Sequence, residues 1–93
     1  MKPFGSVNMK IEFGIMFTYF QLLKYYTHLS FDSNKRFNVG EMYMVYDRKS
    51  YEWKPVIVVD NTNDLYEVEF VIGNKRLKNL TSSQIGIPIF GEN

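Results

Sequence analysis

Residues 37–85 contain regularly spaced runs of β-branched and aromatic residues, and this pattern constrains the fold more than any other feature of the chain. Three strong runs cover 41–46, 51–59 and 65–72, and a weaker run covers 75–80; polar turn sequences stand between them. Short strands joined by such turns predict an antiparallel meander. We expect the meander to curl into a small five-stranded barrel, a fold that binds ligands at an open rim.

The composition limits the chemistry that this chain can perform. Ninety-three residues make one domain. The absence of cysteine excludes disulfides and thiolate metal sites, and the single histidine, His28, argues against a histidine-based zinc site. A net charge of +1 gives no overall attraction to nucleic acid or membranes, so any electrostatic preference must be local. We therefore predict no metal and no other cofactor.

The apolar segments predict a cytoplasmic protein with no membrane partner. The apolar run at 15–23 is interrupted by Thr18 and Gln21 and is shorter than the ~20 residues of a membrane span. The chain has no alanine, which argues against a signal-peptide cleavage site. The abundance of Lys, Asn and Ile suits an AT-rich genome, so a viral or phage accessory protein in the host cytoplasm is one expectation.

The N-terminal part predicts an α-helix at about 15–29. Its apolar residues recur at spacings of three and four, which places them on one helical face. A β-hairpin is the alternative, because Phe, Tyr and Thr favour strands. Either form is expected to cover the barrel or to join a second copy in a homo-oligomer. The apolar residues with this spacing are Met16, Tyr19, Phe20, Leu23 and Tyr26.

We predict that the chain is organised in two segments, 1–36 and 37–93. The first holds the helix, and the second holds the barrel followed by an extended C-terminal tail. The tail at 85–90 is apolar and contains Pro88. Because proline lacks a backbone donor, we expect this tail to be an edge strand or an extended arm.

Six short motifs follow one another through the barrel region. They are Val39-Gly40-Glu41, Tyr46, Trp53-Lys54-Pro55, Tyr66-Glu67-Val68-Glu69-Phe70, Gly73-Asn74 with Lys75-Arg76, and Leu80-Thr81-Ser82-Ser83-Gln84-Ile85. In this order the stretch resembles Tudor domains, within the wider class of SH3-like barrels. The resemblance covers about half of the chain. It implies a mostly β fold, a small five-stranded SH3-like barrel, here with an N-terminal α-helix; such barrels serve many functions.

The resemblance also implies a candidate aromatic cage. Tudor domains that read methylated lysine or arginine hold the cation against ring faces. By position the walls here are Tyr46, Trp53 and Phe70, with Asn74 as the polar partner. Ile72 stands where a fourth aromatic is expected, and a core role for the three rings is the favoured interpretation.

Basic residues at the hairpin loops predict a different ligand. Arg48 and Lys49 lie on the first loop, and three further cations lie on and after the third; both loops are expected at one end of the barrel. Such a rim suits phosphates or an acidic protein surface, and nearby rings can stack on bases. A solvated rim without a ligand is the alternative. The predicted nucleic-acid-binding residues are Arg48, Lys49, Tyr51, Trp53, Lys75, Arg76 and Lys78.

No catalytic motif is present in the sequence, so we predict a binding module that is not an enzyme. The leading hypothesis is contact with a DNA or RNA backbone through the basic rim. The alternative is a protein–protein interaction module, such as a small phage factor that inhibits a host protein, because the chain has more tyrosines than one small core needs. A methyl-lysine or methyl-arginine reader is the third hypothesis.

Overall fold

The computed structural model describes Gln21 and residues 23–91. This part of the chain is mostly β and forms one antiparallel sheet in the order β1-β6-β2-β3-β4-β5. Short 3-10 helices at Leu23–Tyr25 and Ser82–Gln84 precede the first and the last strand. The predicted mostly β class is confirmed, with six strands in the described part rather than five. The strands are β1 (Tyr26–Ser30), β2 (Met42–Asp47), β3 (Glu52–Thr62), β4 (Leu65–Phe70), β5 (Arg76–Leu80) and β6 (Ile85–Phe90).

The predicted meander corresponds to β2 through β5. β3 extends to Thr62, past the predicted run at 51–59, so the turn that follows it is shorter than the polar sequence indicated. Asn63 and Asp64 join β3 to β4 with φ angles of 54° and 61°. Two consecutive residues with positive φ match the twist of a tight hairpin, and short polar side chains tolerate this conformation best after glycine. Gly73 and Asn74 supply the positive φ angles of the next turn.

Alternate residues of the sheet bury one face in the main core. Val56 and Val58 of β3 lie in this core with Tyr66 and Val68 of β4, and each of the four is at most 2% exposed. The same cluster contains residues from β2 and β5, which are separated by two strands in the sheet. The sheet therefore curls around this core. Its other members are Phe37, Tyr43, Val45, Phe70, Leu80, Ile85 and Ile87.

The opposite face of the sheet carries a smaller apolar cluster. Met42, Met44 and Ile57 are buried there against Leu23, and Tyr26 packs on the same cluster. The segment that precedes the meander thus covers the convex face of the sheet.

The predicted helix at about 15–29 is wrong for its last part, because Tyr26–Ser30 is a strand. Residues 15–20 and 22 lie outside the described residues. The spacing behind the prediction runs from Met16 to Tyr26, and Leu23 and Tyr26 are its members within the described residues. A register shift after Tyr26 places one extra residue in β1, so that Tyr26 and Leu29 pair with Phe90 and Pro88, two positions apart. A β-bulge of this kind puts residues i and i+3 of a strand on one face.

The predicted edge position of the tail is also wrong, since β6 lies between β1 and β2. Its pairing with β2 involves only Ile85 and Gly86, whereas Pro88 pairs with Leu29 of β1. Within the described residues, Pro88 therefore stands in the half of β6 that pairs with β1 alone. Proline avoids backbone positions that are paired on both sides, and Pro88 obeys this rule even though β6 as a whole lies between two strands.

Phe37 closes one end of the main core, which we call the closed end. Its side chain is fully buried, and its ring meets Tyr43 and Tyr66 edge to face, with centroids 4.6 and 5.4 Å away. The backbone N–H of Phe37 donates to the Tyr66 hydroxyl at 3.1 Å, and the Asn61 amide donates to the Phe37 carbonyl at 3.0 Å. The backbone N–H and carbonyl of Phe37 thus both have hydrogen-bond partners.

Candidate functional site

A cleft of about 470 Å³ opens at the end of the core opposite Phe37. We call it the open cleft. It lies between the β2–β3 turn on one side and β5 with the following 3-10 helix on the other. Because these elements are not neighbours in the sheet, the curl of the sheet creates the cleft. Its lining residues are Val45, Tyr46, Asp47, Arg48, Lys49, Trp53, Lys75, Leu77, Leu80 and Gln84.

The β2–β3 turn is organised around Asp47, which ends β2. Its carboxylate accepts hydrogen bonds from the Lys49 backbone N–H and the Ser50 hydroxyl, both at 3.0 Å. Its backbone carbonyl accepts the N–H of Tyr51 at 2.8 Å, and Tyr51 has a φ of 59°. These bonds fix the turn that presents Arg48 and Lys49 to the cleft.

Asp47 is the single acid among the described residues that line the open cleft, and Lys54 balances its charge. The Lys54 ammonium lies 2.9 Å from a carboxylate oxygen of Asp47. This hydrogen bond lowers the pKa of Asp47 to about 2, helped by the Lys49 N–H, and Asp47 in turn raises the pKa of Lys54. Asp47 is therefore ionised at neutral pH, and its charge is already compensated within the fold.

Arg48, Lys49 and Lys75 leave the open cleft positively charged. All three are exposed, and none of them forms an ion pair with a carboxylate in the described part of the chain. They come from the two turns predicted to lie at one end, and the structure brings them to one lining. Their charges are available to an anion that enters the cleft.

The other two predicted rim cations are placed elsewhere. Arg76 donates to Glu69 at 2.9 Å and to Glu67 at 3.4 Å, and these carboxylates raise its pKa. Lys78 lines a different cleft of about 330 Å³ near the β3–β4 turn, together with Asp60 and Glu67. Three of the five predicted cations therefore share the open cleft, and two do not.

The predicted aromatic residues are divided between the two faces of the sheet. Tyr46 and Trp53 pair across β2 and β3, and their ring centroids are 5.5 Å apart. The centroid of the Phe31 ring also lies 5.5 Å from that of Trp53. Phe70 pairs with Val56, belongs to the main core and is 4% exposed. Phe70 does not line the open cleft with Tyr46 and Trp53, but it lines another cleft of about 420 Å³ together with Trp53 and Ile72.

The remaining predicted site residues lie in turns outside the lining of the open cleft. Asn74 occupies the β4–β5 turn with a φ of 57°. Tyr51 is 80% exposed at the β2–β3 turn, beside the cleft cations. Tyr51 is thus available for a ligand that extends past the cleft.

Sequence reasoning missed the apolar floor of the open cleft. Val45, Leu77 and Leu80 contribute to it from β2 and β5, and Gln84 closes it from the last 3-10 helix. The alternation along each strand marks these side chains as inward-facing. Their meeting depends on the curl of the sheet, which no local pattern encodes.

No protein-family model matches this chain, and neither the curated proteins nor the solved structures provide a match. Within the described residues, no helix has the length and apolar character needed to cross a bilayer. In the same part of the chain, no three His, Asp or Glu side chains are grouped as metal ligands would be. The candidate site therefore rests on its own geometry.

Proposed function

We propose that this protein is a non-catalytic module that contacts the phosphate backbone of nucleic acid through the open cleft. The observation that carries the proposal is a set of three cations, Arg48, Lys49 and Lys75, which line one concave site and have no carboxylate partner among the described residues. Lysine and arginine that neutralise phosphates release condensed counterions, and this release drives sequence-independent binding. A chain with a net charge of only +1 needs such a local concentration of charge.

The fold that we propose for this function is an SH3-like barrel of the Tudor type, extended by β1. The shared core of β2, β5 and β6 supports it, because these strands meet only if the sheet curls strongly. An open-ended barrel of this kind places two hairpin turns beside one another, and the cations of the open cleft come from two such turns.

The test is an electrophoretic shift of the purified protein with mixed single- and double-stranded DNA and RNA, at low and moderate salt. The variant that removes the site is Arg48→Glu with Lys75→Glu. We expect the wild type to bind at low salt and to lose affinity steeply as salt rises. We expect the variant to lose binding while its thermal midpoint stays unchanged, because both side chains are exposed.

A matched control is available at the closed end. Arg36→Glu with Lys78→Glu changes the net charge by the same amount and involves the same residue types. Arg36 lies 3.5 Å from Asp64, and Lys78 lines the other cleft. We expect this control to keep most of its binding. Equal loss in both variants would show that overall charge, and not the open cleft, is responsible.

A protein–protein module is the second candidate, and one observation favours it. Phe31, Trp53 and Tyr46 form a continuous row of rings, in which Phe31 is 45% and Tyr46 is 40% exposed. Exposed aromatic residues of this kind are enriched in interfaces. Under this candidate, a protein partner binds in a salt-tolerant manner, Phe31→Ala weakens the complex, and nucleic acid causes no shift.

A further inference from the structure

We infer that the open cleft selects single-stranded nucleic acid and holds a base inside it, beyond contacting phosphates. The inference rests on the proposed function and specifies its ligand. Three features carry it: the concave shape of the site, its apolar floor, and the aromatic pair at its edge.

The shape of the site favours a strand whose bases are unpaired. Arg48 and Lys49 stand on one turn and Lys75 on another, and all three line the same concavity. Its volume of about 470 Å³ lies in the range of pockets that enclose small molecules, ~300–1,000 Å³. A duplex presents a convex row of phosphates and keeps its base faces stacked inside. A single strand can turn one base into the cleft while its phosphates remain at the rim.

The floor of the open cleft is too apolar to bind a phosphate. Val45, Leu77 and Leu80 line it, and they are apolar. Phosphate oxygens need hydrogen-bond donors and gain nothing from apolar contact, whereas the flat face of a base loses water favourably against such a surface. The cations at the rim and the apolar floor therefore suit the two parts of one nucleotide.

Tyr46 and Trp53 supply an aromatic edge to the same cleft. The Tyr46 ring meets Trp53 at an interplanar angle of 64° and is 40% exposed. Trp53 is half-buried and is held from its other side by Phe31. Tyr46 is thus supported by its neighbour while part of it stays open to solvent. Stacking of a base on such a ring is worth roughly 5- to 150-fold in affinity, from the ~1–3 kcal/mol measured per base.

Charge gives a separate quantitative expectation. Three phosphate contacts on a single strand correspond to a slope of log affinity against log salt of about −2, at ~0.7 per contact. Lys75→Ala should reduce the slope by about 0.7. Lys78→Ala, which removes the same charge outside the cleft, should leave it unchanged.

Binding at the open cleft can be followed by the intrinsic fluorescence of the protein, because Trp53 is its single tryptophan and lines the open cleft. The experiment titrates the full chain with three probes at equal salt while Trp53 fluorescence is recorded. The probes are a ten-residue thymidine strand, an abasic strand with the same number of phosphates, and a ten-base-pair duplex. We expect the thymidine strand to change the fluorescence and to bind at least about fivefold more tightly than the other two.

Substitution of the ring separates stacking from charge. Tyr46→Ala should weaken binding of the thymidine strand at least about fivefold and leave the abasic strand unaffected. Tyr25→Ala serves as the matched control, since Tyr25 is 63% exposed and does not line the cleft. Thermal melting of both variants checks that the fold is retained.

The outcomes distinguish this inference from the function on which it rests. If all three probes bind equally and the affinity depends on salt, the proposed function holds and the single-strand inference is overturned. The inference also fails if Tyr46→Ala weakens the thymidine and abasic strands alike. If none of the probes binds at low salt, both the proposed function and the inference fail.

Discussion

The two ends of the main core use their polar groups in different ways. At the closed end, the buried Glu41 carboxylate accepts hydrogen bonds from the Tyr43 hydroxyl and the Asn38 backbone N–H, each at 2.9 Å. At the open cleft, Arg48 and Lys75 are exposed, and neither forms an ion pair in the described part of the chain. The closed end thus uses polar groups to hold the fold together.

The difference separates residues that fold the protein from residues that are free to bind. Ring packing around Phe37 and satisfied backbone groups stabilise the closed end. The open cleft retains an apolar floor and three charges that the fold does not use. Substitutions at the closed end should therefore change stability, and substitutions of the cleft cations Arg48, Lys49 and Lys75 should change binding.

Phe37→Ala should produce the largest loss of stability. The side chain is fully buried between two aromatic rings, and removal of a buried phenylalanine costs about 3–5 kcal/mol. Chemical denaturation of the purified variant measures the change in free energy of unfolding. Tyr51→Ala, at an 80% exposed ring, is the control and should be nearly neutral. A loss below about 1 kcal/mol for Phe37→Ala would contradict the role of Phe37 in closing this end of the main core.

Glu41→Ala should have an intermediate effect. The substitution removes the acceptor of two hydrogen bonds at a buried position, and one hydrogen bond to a charged group contributes about 1.5–3 kcal/mol to stability. Glu41→Gln keeps an acceptor oxygen of the same reach and should recover part of the loss. Equal unfolding free energies for the two variants would mean that the acceptor does not matter.

Acid should weaken the β2–β3 turn. The pKa of Asp47 is about 2 in the folded protein, below its ordinary value of 3.8. A carboxylate with a lowered folded pKa stabilises the fold fully above the unfolded value and loses this contribution as pH falls toward the folded value. The thermal midpoints of wild type and Asp47→Asn should therefore differ above pH 4 and converge as pH falls to 2. A difference that stays constant over this range would exclude the carboxylate charge as the cause.

The smallest effects on stability should come from Lys75→Ala and Lys78→Ala, each within about 0.5 kcal/mol because both side chains are exposed. Their effects on binding should diverge, since only Lys75 lines the open cleft. Nucleic-acid titration at fixed salt measures the difference. If Lys78→Ala weakens binding as much as Lys75→Ala does, the binding surface extends to the closed end and the contrast between the two ends disappears.

Local chemistry explains which parts of the fold could be predicted from the sequence. The turn at Asn63-Asp64 and the turn at Gly73-Asn74 were predictable because these residue types tolerate positive φ. The strands β2 to β4 were predictable from β-branched and aromatic runs. The end of the N-terminal segment was predicted incorrectly because Tyr26–Ser30 pairs with β6, a partner distant in sequence that local spacing cannot reveal.

Charge placement marks the limit of prediction for the candidate site. The sequence groups Lys75, Arg76 and Lys78 as one basic stretch, but Lys75 precedes β5, and position along β5 with its pairing to β4 gives Arg76 and Lys78 different surroundings. Arg76 faces two carboxylates of the neighbouring strand, and Lys78 lies toward the other end. Such partners come from another strand, so the spacing within one stretch cannot reveal them.

The sequence by itself determined the antiparallel meander and the turns at Asn63-Asp64 and Gly73-Asn74, because these follow from local backbone preferences. Only the tertiary structure decided that β6 inserts between β1 and β2 and that Val45 meets Leu77 in one cleft. It also decided which cations have carboxylate partners among the described residues. These features depend on the curl of the whole sheet, which arises from strand twist and the shared core rather than from any single segment.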